Sequence, residues 1–197
     1  MKKIVAAVLS LFIMAFSAVC FAESYQMTYE ANNFTEDMKD NQALTETFTT
    51  PYGGMKFQMR KLWGSGSDKR LHLIVSLNDK RIDDEHFPKV DYGYTFRVVK
   101  NTSNSEQYFV LQSIERAVLF GYSPEKNKLE VYIDSQNYAH EAGAHPYIVA
   151  LKDGKLVLAF EKGNKCRRYQ FNWDKKANWF GYSELGEGWH SIMKDKQ

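Results

Sequence analysis

The sequence predicts an all-β chain built from antiparallel meanders. Three observations carry this. Apolar residues recur at every second position, turn signals separate the runs at short intervals, and one strand-and-turn stretch recurs sixty positions later. Alternation sends successive side chains to opposite faces of a pleated strand, so each apolar set marks one buried face. The residues in those sets are aromatic and β-branched, the types that fit such a surface.

Residues 1–22 are expected to be an address and not part of the fold. Met1-Lys2-Lys3 is a short basic start, Ile4 to Ala22 carries no charge, and small Ala22 precedes polar Glu23. That order is a secretory signal of bacterial type, with cleavage expected after Ala22 and a periplasmic or secreted product. The rival is a retained anchor, because the uncharged run approaches the ~20 residues a spanning helix needs. Lipidation at Cys20 fits less well, since Val19 stands where a small residue is wanted. Cleavage leaves no membrane span.

Residues 23–197 then form a single domain. The stretch 23–54 shows no sustained period, and a short helix is expected from Thr35, with Glu36 and Asp37 in its first turn, to about Ala43. From there the period is two. Met55, Phe57, Met59 and Trp63 share one phase, as do Leu71, Leu73, Val75 and Leu77. Gly64 to Ser67 between them reads as a hairpin loop. Tyr92, Tyr94, Phe96 and Val98 follow, then Leu129, Val131 and Ile133, Leu156, Leu158 and Phe160, and Tyr169, Phe171 and Trp173. Turns are expected at Asn78-Asp79, Asn101 to Ser105, Pro124 to Asn127, Gly163-Asn164 and Asp174 to Lys176. The sharpest is Asp153-Gly154, a hairpin between Tyr147–Leu151 and Lys155–Glu161.

Phe120-Gly121-Tyr122-Ser123 recurs as Phe180-Gly181-Tyr182-Ser183, and Phe109–Ser123 aligns with Tyr169–Ser183 without a gap. Phe96 and Val98 fall on Leu156 and Leu158 in the same phase. A duplication of about sixty residues is expected, giving related units at about 92–134 and 147–185. The chain has room for about three such units, too few for the 4–8 blades that close a propeller. The units should therefore face one another as a sandwich or curl into a barrel. An open, blade-like stack is the alternative. Gly121 and Gly181, inside strand patterns, suggest a bulge or a close backbone approach at both places.

Charge excludes one class of partner. Without Lys2 and Lys3 the 24 remaining basic residues equal the 24 acidic ones, so no electrostatic footprint for nucleic acid is present. Catalytic motifs are weak. His140 and His145 are five apart, so a helix would turn their rings about 140° from each other and a strand would send them to opposite faces. Asp83-Asp84-Glu85-His86 lacks the glycine that bends a calcium loop and reads as a solvated acidic loop. Gly64-Ser65-Gly66-Ser67-Asp68 matches neither a nucleophile elbow nor a phosphate loop. No cofactor or metal is expected.

Once the signal leaves, Cys166 is the sole cysteine and no internal disulfide forms. It reads first as a small residue packed in a sheet. Its basic neighbours Lys165, Arg167 and Arg168 make a reactive or intermolecularly paired thiol the other reading. Phe180 and Tyr182 repeat Phe120 and Tyr122 and are expected to be core. Trp173 and Trp179 have no aromatic counterpart in the first unit, so these two with Trp189 are the expected ligand-binding residues. The resulting expectation is an exported, non-catalytic module that binds a protein, envelope component or glycan. One alternative is a hydrolase that gathers Asp83, Asp84, His140, Glu141 or His145 by folding. The other is a structural subunit of a larger β assembly.

Overall fold

The structure is a computed structural model that describes residues 23–36, 38–39, 42–63, 69–88 and 92–188, with the backbone alone at 63 and 186–188. The expected signal segment, the Gly64–Ser67 loop and Trp189 lie outside the described residues. Thirteen strands are described: β1 (Tyr25–Ala31), β2 (Ala43–Thr50), β3 (Gly53–Trp63), β4 (Lys69–Leu77), β5 (Lys80–Pro88), β6 (Thr95–Asn101), β7 (Gln107–Gln112), β8 (Ala117–Ser123), β9 (Lys128–Asp134), β10 (His145–Ala150), β11 (Leu156–Lys162), β12 (Lys165–Asp174) and β13 (Trp179–Gly188). A single 3-10 turn, Ser135–Asn137, follows β9. No helix among the described residues is long and apolar enough to cross a membrane.

The strands form three antiparallel sheets, and none closes into a barrel. The first outer sheet is the meander β2-β3-β4-β5, the second is β10-β11-β12-β13, and the central sheet runs β1-β6-β7-β8-β9. Tight turns set the registers. Asn78 and Asp79 take φ of 49° and 63°, the left-handed pair that closes β4 onto β5. Gly154 at φ 81° closes β10 onto β11, where Asp153 Oδ1 also accepts from the Lys155 amide at 3.2 Å.

Alternation explains the layering. In β3 and β4, Met55, Phe57, Met59, Leu71, Leu73 and Val75 are buried, and they meet Phe96, Val98, Phe109, Leu111 and Phe120 of the central sheet. The intervening residues of the same central strands, Val99, Tyr108, Val110 and Leu119, meet Ile148, Leu156, Leu158 and Phe171 of the second outer sheet. The central sheet is thus buried on both faces, a face-to-face stack of sandwich type. Rings dominate the first interface: Phe57 lies 4.4 Å from Phe109 and 5.1 Å from Phe96, centroid to centroid. Each such side chain contributes about 1.5–3 kcal/mol by burial. Cys166, 1% exposed, belongs to a further buried set with Val149, Leu151, Val157 and Ala159 on the opposite face of the second outer sheet. It is a packed thiol, in agreement with the first reading.

Several expectations need correction. The helix from Thr35 is not formed, since Asn32–Glu36 are turns and Ala43 already opens β2. Thr35 instead accepts the Tyr94 amide on its hydroxyl at 2.9 Å, which fixes the β1–β2 connection to the central sheet. Asp83–His86 is not a loop but part of edge strand β5. Phe120 and Phe180 are core, whereas Tyr182 is 59% exposed. At the sixty-residue offset the β6–β7 and β11–β12 hairpins share one register, Phe96 opposing Leu111 as Leu156 opposes Phe171. The next hairpins differ. Gly121 opposes Tyr108, but Gly181 opposes Asn172, four positions beyond the counterpart of Tyr108, because β12 runs on to Asp174 before turning.

The two glycines differ accordingly. A Cβ built on Gly121 overlaps the Tyr132 ring, while on Gly181 it meets nothing nearer than the Asn172 carbonyl at 3.9 Å. Close approach is needed at one site only. Gly121→Ala is expected to cost about 1–3 kcal/mol through overpacking, and Gly181→Ala to stay within about 0.5 kcal/mol of the parent. Urea unfolding of the two variants checks this, and equal costs would contradict it.

Candidate functional site

A cleft of about 280 Å³ opens where turns from all three sheets come together. The β2–β3 turn supplies Tyr52, the β6–β7 connection supplies Asn104 and Glu106, and β12 with its following turn supplies Trp173 and Asn178. Tyr122 and Tyr132 come from β8 and β9 of the central sheet. The cleft is slightly below the ~300–1,000 Å³ usual for ligand pockets.

Local chemistry holds each wall. In the β6–β7 connection Ser105 takes φ 63°, and Asn104 Oδ1 accepts the Glu106 amide at 2.9 Å, so the short polar residues there bend the chain and aim Glu106 inward. Tyr52 donates its hydroxyl to Glu106 Oε1 at 2.6 Å and sets its ring 5.0 Å from that of Tyr122. Tyr122 donates in turn to Asn127 Oδ1 at 2.9 Å. Gln107 donates through Nε2 to the Thr49 carbonyl at 2.8 Å, which ties β7 to the first outer sheet. Its buried Oε1 has no donor among the described residues.

Tyr132 is the pivot of the aromatic wall. Leu119 opposes Ile133 and Phe120 opposes Val131, so Tyr132 is the extra residue of a β-bulge. The bulge turns it onto the missing side chain of Gly121 and into the cleft. Trp173 meets it edge-on at 5.4 Å and 90°, and Trp179 lies at 5.0 Å. Trp173 is half-buried against the core, while Trp179 is 43% exposed. The structure thus brings together two of the three tryptophans singled out from the sequence, and the third lies outside the described residues.

The partners Tyr52, Glu106, Tyr108 and Tyr132 were not legible from alternation. Leu129, Val131 and Ile133 share a phase in sequence, but the bulge leaves Val131 43% exposed and buries Tyr132. Tyr52 and Glu106 sit in turns, where no period exists to read.

The acid and histidine residues weighed for hydrolysis do not converge. Asp83 accepts the Leu129 amide at 3.1 Å, and Asp84 pairs with His72 and Arg81, all beside the first outer sheet. His140 stacks on Phe160 at 4.4 Å, Glu141 pairs with Lys162 at 3.3 Å, and His145 donates to the Ile114 carbonyl at 3.1 Å. These belong to the second outer sheet and its leading loop, with the central sheet between the two groups.

A larger cleft of about 460 Å³ lies at the other end of the stack, with Arg97 in its wall. That guanidinium is 2% exposed and already satisfied by Glu30 at 3.0 Å and Gln112 at 2.6 Å. Its charge is compensated within the fold, and the smaller cleft carries the more open chemistry. No protein family, curated protein or solved structure matches the chain.

Burial, then the hydrogen bond to Glu106, pushes the Tyr52 phenol well above the ordinary 10. Burial, followed by the charges of Glu130 and Glu106, takes Tyr132 to about 12. Folding therefore favours the neutral phenols. That contribution is whole below pH 10 and is lost as pH rises through about 12. Denaturant unfolding is expected to give constant stability up to about pH 10 and falling stability above it. Glu106→Gln should move one tyrosinate absorbance step toward lower pH, and an unchanged titration curve would contradict the Tyr52 assignment.

Proposed function

We propose that the protein is an exported, non-catalytic binding module whose tyrosine- and tryptophan-lined cleft takes a neutral or amino-bearing glycan. One observation carries this reading. The cleft combines the rings of Tyr52, Tyr108, Tyr122, Tyr132 and Trp173 with Glu106, Glu125, Asn104 and Asn178, and no lysine or arginine among the described residues lines it. A sugar ring has an apolar C–H face and a hydroxyl edge. Aromatic faces accept the first, and carboxylates and amides accept the second. Two carboxylates without a cation disfavour phosphates and acidic ligands. Gln107 adds an acceptor without a donor to the same wall.

The basic start, uncharged run and Ala22-Glu23 junction support export with loss of residues 1–22. The common register of the β6–β7 and β11–β12 hairpins fits descent of the two units from one. The mature chain recovered from intact cells is expected to begin at Glu23. An N-terminus at Met1 would favour the retained anchor.

Binding is checked by titrating the protein with a panel of soluble neutral, amino-bearing and acidic oligosaccharides and following tryptophan fluorescence. Saturable binding is expected from the first two groups only. Trp179→Ala, which removes the partly exposed ring packed at 5.0 Å on Tyr132 of the cleft wall, should weaken it by about two- to tenfold, the worth of one aromatic contact. Tyr52→Phe, which removes a hydroxyl and keeps the ring, should weaken it less. Binding of acidic glycans alone, no binding at all, or full affinity in both variants would overturn the assignment.

A further inference from the structure

The outer face of the first outer sheet carries a second grouping, remote in chemistry from the cleft. The β4–β5 register sets His72 directly opposite His86. Their rings stack with centroids 4.5 Å apart and planes 8° from parallel. Asp84 precedes His86 by two residues on the same strand and so shares its face. Its Oδ1 contacts His72 Nε2. One ligand atom from each of the three lies within 4.8 Å of the other two, and among the described residues no other set of three such side chains converges in this way.

We propose that His72, Asp84 and His86 form a three-ligand site for a divalent transition-metal ion of the zinc class. Two imidazoles and one carboxylate are a donor set that zinc and its neighbours accept, with the remaining coordination positions left to solvent. The surroundings decide against harder ions. Arg81 pairs with Asp84, and Arg60 stands opposite His72 across the β3–β4 ladder. With one carboxylate in the site, itself paired with Arg81, and a second arginine opposite His72, the site lacks the several charged oxygens on which Ca²⁺ and Mg²⁺ depend. What remains is nitrogen donation, and that selects borderline ions. His86 is exposed and has no hydrogen-bond partner among the described residues, so it gives up only its stack on His72, the rings turning until their in-plane lone pairs meet at the ion. On loading, Asp84 Oδ1 exchanges His72 for the ion while Arg81 stays on the other oxygen and orients the carboxylate as an outer-shell partner.

The site stands on strands, not on loops, so its geometry is held by ladders and by the buried residues Leu71, Leu73 and Phe87 on the reverse face. The experiment is calorimetric titration of the full mature chain with ZnCl₂ in a non-chelating buffer, with CaCl₂ and MgCl₂ run in parallel. One zinc per chain is expected, with no heat from calcium or magnesium. His86→Ala and Asp84→Asn should each lower zinc affinity by at least about tenfold, since even outer-shell changes cost that much. His140→Ala, on the other outer sheet, should leave it unchanged. Far-UV circular dichroism confirms that each variant is folded, and His86→Gln replaces His86→Ala if the latter is not. Absence of one-to-one zinc binding, calcium or magnesium binding at the same residues, or zinc affinity untouched by the His86 and Asp84 changes would overturn the proposal.

Discussion

The inner strands of the central sheet, β6 to β8, have no face to give to water, and the rest of the molecule follows from that. Strands buried on both sides need apolar residues at successive positions, not at alternate ones. Phe109-Val110-Leu111 and Val118-Leu119-Phe120 supply them, and their alternate members enter different layers. The first outer sheet needs one apolar face only, so β3 and β4 alternate cleanly while β7 and β8 do not. Among the described residues the buried charge inside the central sheet is Arg97. A buried guanidinium without a partner would cost several kcal/mol, and the fold answers with Glu30, which β1 places directly opposite it, and with Gln112. Addition of β1 to the edge of the β6–β9 meander is therefore an electrostatic requirement as much as a hydrogen-bonded one.

Stacking three open sheets leaves strand edges exposed, and β5 illustrates how an edge is managed. Lys80-Arg81-Ile82-Asp83-Asp84-Glu85-His86 places charge along nearly its whole length, and most of it is exposed. Charged edges resist pairing with another chain. The same composition hid the strand, because a segment with little apolar surface to bury carries no period. The residues that protect the edge are also those that place Asp84 and His86 beside His72.

Legibility in the sequence thus tracked burial. Strands with one buried face, such as Met55–Met59 and Leu71–Val75, were readable from period alone, and the turns at Asn78-Asp79 and Asp153-Gly154 from residue type. The β1–β2 region was not readable. In β2, Thr45, Thr47 and Thr49 are exposed while Leu44, Glu46 and Phe48 are only half-buried, a weak contrast that a possible cap at Thr35 outweighed. The four-residue slip between β7–β8 and β12–β13 lies beyond any ungapped alignment, because it depends on where each hairpin turns. Trp173, in the cleft wall, and Trp179, packed on Tyr132, were recoverable because the first unit lacks their rings. Tyr132 was not, because a bulge moved it out of phase.

That bulge connects the fold to the cleft. An aromatic side chain used for recognition serves best when its orientation is settled before a ligand arrives, since ordering it on binding subtracts from affinity. Tyr132 meets this condition through three neighbours: Gly121 leaves the space beneath its ring, Tyr108 lies at 6.0 Å, and Trp173 closes against it edge-on. Tyr108 is held in turn by Phe180 at 5.1 Å, a core residue of the second outer sheet. The rings that line the opening are continuous with those that fasten two layers together. A substitution at Phe180 would therefore loosen the cleft as well as the interface, and the same packing that excludes water from the stack keeps the aromatic wall of the cleft in one conformation.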